Sequence, residues 1–288
     1  MKSLRYPDLI CLGAQKAATT WLYDVLRNRD EIFLPPIKEI HYFSQIYNND
    51  ARSYGPIHRA AQAESVLNYF QGSGASDPRR PSLVDEVNHL ALPDVDDSWY
   101  AQIFSNASSD AVCAEICPSY MNMPQAAVQH VLRLNPSVRL LVLIRDPVDR
   151  CWSQIRMHIS RGIEDRELDS LVSGETSLWP YLFYTDYAGA LRRWQRYSSD
   201  GQLKLMLHEA IESDPNAALV EIYNFVGLPL PEPDPRLNRE VFKGEAIEMP
   251  KSLRSLLLRE LAPQYAFLET IFPGAVKSWL EGHHALLS

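Results

Sequence analysis

Apolar runs alternate with amphipathic stretches along most of this chain. Leu9–Leu12 is a short apolar run, and Thr19–Asn28 then sets Trp21, Leu22, Val25 and Leu26 on one helical face. Ile32–Leu34 reads as a second short strand, stopped by Pro35-Pro36. Trp99–Phe104 opens a short helix, and Ala111–Ile116 is a buried strand halted by Pro118. Pro124–Asn135 is a helix with Val128, Val131 and Leu132 on one face. Arg139–Ile144 is the clearest strand, because its unbroken apolar run suits a strand covered on both faces. Asp146 follows as N-cap and Pro147 as first helical residue, ahead of the stripe Val148, Cys151, Trp152, Ile155 and Ile159. A helix over Tyr184–Tyr197, a strand at Leu203–Leu207, and helices over Asp214–Val226 and Pro250–Leu261 complete the pattern.

Strands alternating with helices predict one α/β domain over residues 1–288, with a central parallel sheet flanked by helices. Ile37–Phe43, dense in titratable and aromatic residues, reads as a loop or strand end. The stretch 46–98 is rich in Gly, Ser, Asp, Asn and Pro and reads as long loops, which on a rigid scaffold often carry binding function.

Composition narrows the classes. A net charge of −8 argues against a general nucleic-acid binder, so any anion must be met by a local cluster of cations and N–H groups. No apolar run approaches about 18 residues, so no membrane span is expected. The polar start, Met1-Lys-Ser-Leu-Arg-Tyr-Pro-Asp8, lacks a leader-like apolar region, so a cytoplasmic address is expected. Cys11, Cys113, Cys117 and Cys151 read as free thiols. No second Cys/His pair at zinc spacing accompanies Cys113 and Cys117, so no metal is expected.

The candidate chemistry begins after the first strand. Gly13-Ala14-Gln15-Lys16-Ala17-Ala18-Thr19-Thr20-Trp21 is a small-residue turn entering a helix, where N–H groups and the helix dipole favour a phosphate. Lys16 adds a point charge, and Thr19 and Thr20 add hydroxyls. A Walker A motif has Lys directly before Ser/Thr and a second glycine; here Lys16 precedes Thr19 by three and that glycine is absent. A dinucleotide Gly-x-Gly-x-x-Gly fingerprint is also missing. A plain strand–turn–helix with a surface lysine stays open.

Arg145 closes the best strand, and Ser153 lies in the second turn of the next helix, where Asp146, Arg150 and Ser153 share the face opposite the apolar stripe. Two strand-to-helix junctions of a parallel sheet both open at its carboxyl edge, so a ligand with phosphates at both ends of an adenosine would use both. Arg145 in a structural ion pair is the alternative.

These residues resemble a known family. Gly13–Leu22 resembles the 5′-phosphosulfate loop of sulfotransferases that use 3′-phosphoadenosine-5′-phosphosulfate (PAPS), and Leu140–Ser153 resembles their 3′-phosphate motif. Lys38-Glu-Ile-His-Tyr-Phe43 is similar to the segment bearing the catalytic glutamate in heparan sulfate (carbohydrate) sulfotransferases. Glu115-Ile-Cys-Pro-Ser-Tyr120, Tyr187–Trp194 and Phe242-Lys-Gly244 continue the series in family order. Ala18 stands where relatives commonly have glycine, Ile116 where they have lysine, and Glu245 where many have arginine.

The resemblance implies a P-loop-like fold and sulfuryl transfer from PAPS to a hydroxyl or amine, leaving adenosine 3′,5′-bisphosphate, without a metal. It implies Lys16 at the leaving phosphate and Glu39 as general base, with His41 as rival or partner. Residues 13–21 with Arg145, Ser153, Lys243 and Gly244 would hold the cofactor, and Lys38, Tyr42 and Tyr120 would touch the acceptor. Lys38 as a solvated flank and Tyr42 as core stay open. Residues 46–98 depart most from the family pattern, so acceptor choice is expected there; the acceptor itself, a small molecule, lipid or carbohydrate, is not readable, nor is the oligomeric state. A P-loop kinase or nucleotide hydrolase, and a non-catalytic bisphosphate-binding protein, are the competing classes.

Overall fold

Five apolar runs pair into one sheet, seen in a computed structural model that describes residues 4–48, 51–72, 80–161, 168–238 and 247–288. From the amino end, β1 (Leu9–Gly13) leads into α1 (Thr19–Leu26), then β2 (Ile32–Phe33) and α2 (Tyr42–Tyr47). Next come α3 (Ala51–Gly72), α4 (Arg80–Leu90), α5 (Asp97–Ile103), β3 (Val112–Ile116), α6 (Gln125–Leu134), β4 (Arg139–Ile144) and α7 (Pro147–Ser160). The chain continues through α8 (Leu168–Ser173), α9 (Trp179–Phe183), α10 (Tyr187–Tyr197), β5 (Leu203–Leu207), α11 (His208–Ser213) and α12 (Pro215–Val226). It ends with α13 (Lys251–Glu260), α14 (Ala262–Glu269) and α15 (Pro273–Leu287).

The strand order is β2-β3-β1-β4-β5, and every pairing is parallel. All of β1 and all of β4 after Arg139 are buried, which is why both read as continuous apolar runs. β1 lies between β3 and β4, so the chain reverses direction across the sheet beside it, and the crevice at such a switch point is where ligands bind. The two junctions picked out in the sequence, after β1 and after β4, are therefore neighbours. Their register slips between Cys11 and Gly13, and Ala14 N–H donates to the Leu143 carbonyl at 2.9 Å.

One expectation needs correction. The stretch 46–98 is mainly helical, through α3 and α4, rather than long loops. Gly55 and Pro56 fall in the second turn of α3 and the helix lacks a regular apolar stripe, so packing rather than propensity sustains it. Arg59 and Ala63 are its buried anchors. Of the two readings of Ile37–Phe43, the loop holds for residues 37–41, and Tyr42 and Phe43 begin α2. The pattern offered no element beyond Leu261, where α14 and α15 stand.

Candidate active site at the carboxyl edge of the sheet

The loop after β1 is built on unusual backbone. Gly13 has φ of +149°, and a Cβ there would lie 3.0 Å from the Pro118 carbonyl, so glycine is required. Lys16 and Ala18 are left-handed, with φ of 68° and 67°. The other two non-glycine residues with positive φ among the described residues are Glu39 and His41, at 65° and 58°. Such conformations cost free energy and gather where function holds them. All four belong to the site drawn from the sequence.

Ala18 caps α1 without a side-chain hydrogen bond. Among the described residues, the N–H groups of Gln15, Lys16, Ala18, Thr19 and Thr20 have no main-chain acceptor. They leave unspent donors at a helix start, suited to an anion. Ala14 and Ala17 are buried and spend their N–H groups within the fold, on Leu143 and Ala14. Trp21 is core, a role its apolar helix face already implied.

Cations surround this turn. Lys38 Nζ reaches Thr19 Oγ1 at 3.3 Å, Thr20 Oγ1 at 3.1 Å and Glu39 Oε1 at 3.2 Å. Lys38 thus packs against the turn after β1 rather than standing as a solvated flank. Arg145 Nη1 donates to the Lys16 carbonyl at 3.0 Å, so the second junction holds the first. Arg145 and Ser153 are half-buried. Burial, with Arg161, Arg145, Arg156 and Lys38 nearby, pulls the Lys16 ammonium below the usual lysine range. Cations gathered around one lysine in this way suit a polyanion.

Arg150 does not join the anion-facing group. It is fully buried and donates to Thr185 Oγ1 at 2.8 Å, Gln154 Oε1 at 2.7 Å and the Tyr181 carbonyl at 2.8 Å. It ties α7 to the α9–α10 connection, and Asp146 is buried as well. The face opposite the apolar stripe is therefore interior at its first turn. Tyr42 and Tyr120 are also core, not acceptor-facing. Tyr42 is fully buried, stacked on Tyr100 and bonded to Asp97; Tyr120 donates to buried Glu115 at 2.8 Å. Burial lifts Glu115 to about 7, against the lowering effect of its hydrogen bonds from Tyr100 and Tyr120. Lys243 and Gly244 lie outside the described residues, as does Glu245.

Beside the loop stands a carboxylate–imidazole pair. His41 Nε2 lies 3.5 Å from Glu39 Oε2, and His41 Nδ1 meets Ser119 Oγ at 3.1 Å. Ser119 Oγ also pairs with Ser44 Oγ at 2.9 Å, which fixes the ring from behind. Burial raises the Glu39 carboxyl, but His41 and Lys38 outweigh it and hold the group at about 2. Glu39 is thus ionised at neutral pH and more open than His41, with side-chain exposures of 23% and 5%.

Sequence reading missed Tyr54 and His58 of α3. Both rings pack edge-on against His41, at 5.2 and 5.1 Å, and His58 Nε2 meets the Lys38 carbonyl at 3.2 Å. No local signal marks them, because they sit in the stretch that resembled a loop. Open hollows of about 520 and 590 Å³ lie elsewhere; the first is lined by Asp85 and Glu86 and the second by Asp96 and Asp97, which suits neither to an anion. No helix among the described residues is long and apolar enough to cross a membrane.

Known proteins share this sheet and its helices. The model of the sulfotransferase family matches residues 7–232. The chain is 25% identical over 154 residues to heparan sulfate glucosamine 3-O-sulfotransferase 3B1 of Mus musculus, covering 51% of this chain and 38% of that protein. It is 26% identical over 160 residues to carbohydrate sulfotransferase 15 of Homo sapiens, covering 51% of this chain and 26% of that protein. The match thus spans well under half the length of these relatives. In fold, a sulfotransferase from Alicyclobacillus acidocaldarius superposes with a TM-score of 0.67 at 21% identity, over 96% of this chain and 99% of that one. A sulfotransferase domain from the curacin biosynthetic pathway gives 0.55 at 14% identity, over 82% and 77%. With its P-loop-like parallel sheet and the family model matched from the first strand through α12, this chain belongs to the sulfotransferase family.

Proposed function

We propose that the protein transfers a sulfuryl group from PAPS to a hydroxyl or amine acceptor, leaving adenosine 3′,5′-bisphosphate. The observation that carries this reading is Lys38, which bridges Thr19 and Thr20 of the anion loop to Glu39 and so sets a base beside a leaving-group site. The residues fit a doubly phosphorylated nucleotide: free N–H groups and lysines at one end, Arg145 and Ser153 at the other. Bound there, PAPS supplies the sulfur electrophile.

The chain's own groups do the rest. Lys16, Lys38 and the loop N–H groups balance charge that builds on the departing phosphate oxygen. Glu39, ionised and partly open, takes the acceptor's proton, and His41 with Ser119 behind it holds that carboxylate in place. A weakly basic carboxylate suits a transfer in which the proton leaves late. Because curated relatives are named for carbohydrate substrates, a sugar hydroxyl is the first acceptor to try.

The test offers labelled PAPS to a panel of carbohydrate, phenolic and lipid hydroxyls. Transfer is expected, and Glu39→Gln should lower turnover by about 10²–10⁴-fold while bisphosphate binding persists. Tighter binding of ATP than of adenosine 3′,5′-bisphosphate would point instead to a kinase or hydrolase. Tight bisphosphate binding with no transfer to any acceptor would favour a non-catalytic binder.

A further inference from the structure

Two of the last three helices reach one carboxylate, and the third meets it through a histidine. Asp146, the residue after Arg145, caps α7 by accepting from Asp149 N–H at 2.8 Å. Its Oδ2 also accepts from the Tyr265 hydroxyl of α14 at 2.9 Å, and its Oδ1 meets His283 Nε2 of α15 at 3.0 Å. Arg254 of α13 lies 2.6 Å from His283 Nδ1. An arginine only donates, so Nδ1 accepts and Nε2 carries the proton given to Asp146. Asp146, Tyr265 and His283 are all buried.

The same helices grip neighbouring turns. Gln264 of α14 accepts from Ala188 N–H at 2.9 Å and donates to Asp186, the cap of α10, at 3.1 Å. Trp279 of α15 donates to Glu209 at 2.8 Å. On its other side, the Tyr187 hydroxyl of α10 donates to the Arg145 carbonyl at 3.0 Å and accepts from Arg145 N–H at 3.2 Å. The Arg145–Asp146 peptide is therefore clamped from α10 and from α14–α15 together. All of α13–α15 lies beyond residues 7–232, so nothing in the family match assigns these contacts a role.

We infer that Tyr265 and His283 are positioning residues for the 3′-phosphate end of the nucleotide site, acting through Asp146 on Arg145 and on the start of α7. The inference rests on the donor reading above. Once Asp146 loses a partner, the first turn of α7 is free to shift, and Arg145 and Ser153 move with it. The loop after β1 keeps its own N–H groups and lysines, so the 5′ end should be spared.

The test compares two ligands by calorimetry: adenosine 3′,5′-bisphosphate and adenosine 5′-monophosphate. His283→Ala and Tyr265→Phe should each weaken the bisphosphate about tenfold, equal to about 1.4 kcal/mol, and leave the monophosphate unchanged. His283→Gln, which keeps a donor, should recover most of the loss. Parallel weakening of both ligands, or no weakening in a folded variant, would overturn the inference. Should a variant fail to fold, Arg254→Ala, one step further out, should reproduce the selective loss in part, and unchanged bisphosphate binding there would equally overturn it. If the unaltered protein does not prefer the bisphosphate, the donor reading itself fails. If it does and His283→Ala keeps that preference, only this inference falls.

Discussion

The two helix starts at the sheet edge solve opposite problems. α1 begins at left-handed Ala18 with no side-chain cap, and its first N–H groups are left for a ligand. α7 begins at Asp146, whose carboxylate consumes the Asp149 N–H and is itself braced by two buried donors. The first junction meets an anion with backbone, the second with side chains on a stiffened turn. A carboxylate cap would repel a phosphate at the first, and an uncapped start would leave Arg145 poorly anchored at the second.

Removing the brace should give the largest effect. Asp146→Ala loses a cap worth about 1 kcal/mol and orphans the Tyr265 hydroxyl and His283 N–H at about 1 kcal/mol each, so denaturant unfolding should show a loss of about 3 kcal/mol. Arg145→Ala should cost roughly 1.5–3 kcal/mol in bisphosphate affinity, read by calorimetry, with little change in unfolding. Ala18→Gly at the uncapped start should raise stability by about 1 kcal/mol, because φ of 67° is strained for alanine and free for glycine. An unchanged melting temperature would show that the loop relaxes that strain elsewhere.

A titration sharpens the same contrast. Burial and neighbouring cations lower the Lys16 pKa, so the free site loses that charge as pH rises, before an ordinary lysine would. Bisphosphate binding should weaken on the alkaline side below the usual lysine range, and Lys16→Arg should move that limb upward.

Much of this edge was legible because its signals are local. β4 keeps its predicted bounds, Arg139–Ile144, and Asp146-Pro147 starts α7 as capping rules require. Glu39 and His41 came from the family resemblance, and their left-handed backbone, which brings them together, has no mark in the sequence. What escaped depends on distant partners. The sequence sets Arg150 beside Ser153 on the face opposite the apolar stripe, and nothing nearby marks Thr185 or the Tyr181 carbonyl as its neighbours. Tyr265 and His283 lie 119 and 137 residues from the carboxylate they hold. α3 escaped because its glycine and proline imitate a loop, while tertiary packing overrides both.

Arg59 is the clearest case of that override. Its guanidinium is fully buried over Trp99, 4.9 Å from the ring, and donates to the carbonyls of Ile40, Leu90 and Leu92 and to Gln45. Every one of these acceptors is neutral. A buried charge met only by dipoles tolerates no partial assembly, since each missing carbonyl exposes an unpaid desolvation cost. The peptide bearing Glu39 and His41, the end of α4 and the turn after it must therefore close together or not at all. Amide exchange across these three segments should report one opening event, with the base and the helix that supplies Tyr54 and His58 sharing a single threshold for coming apart.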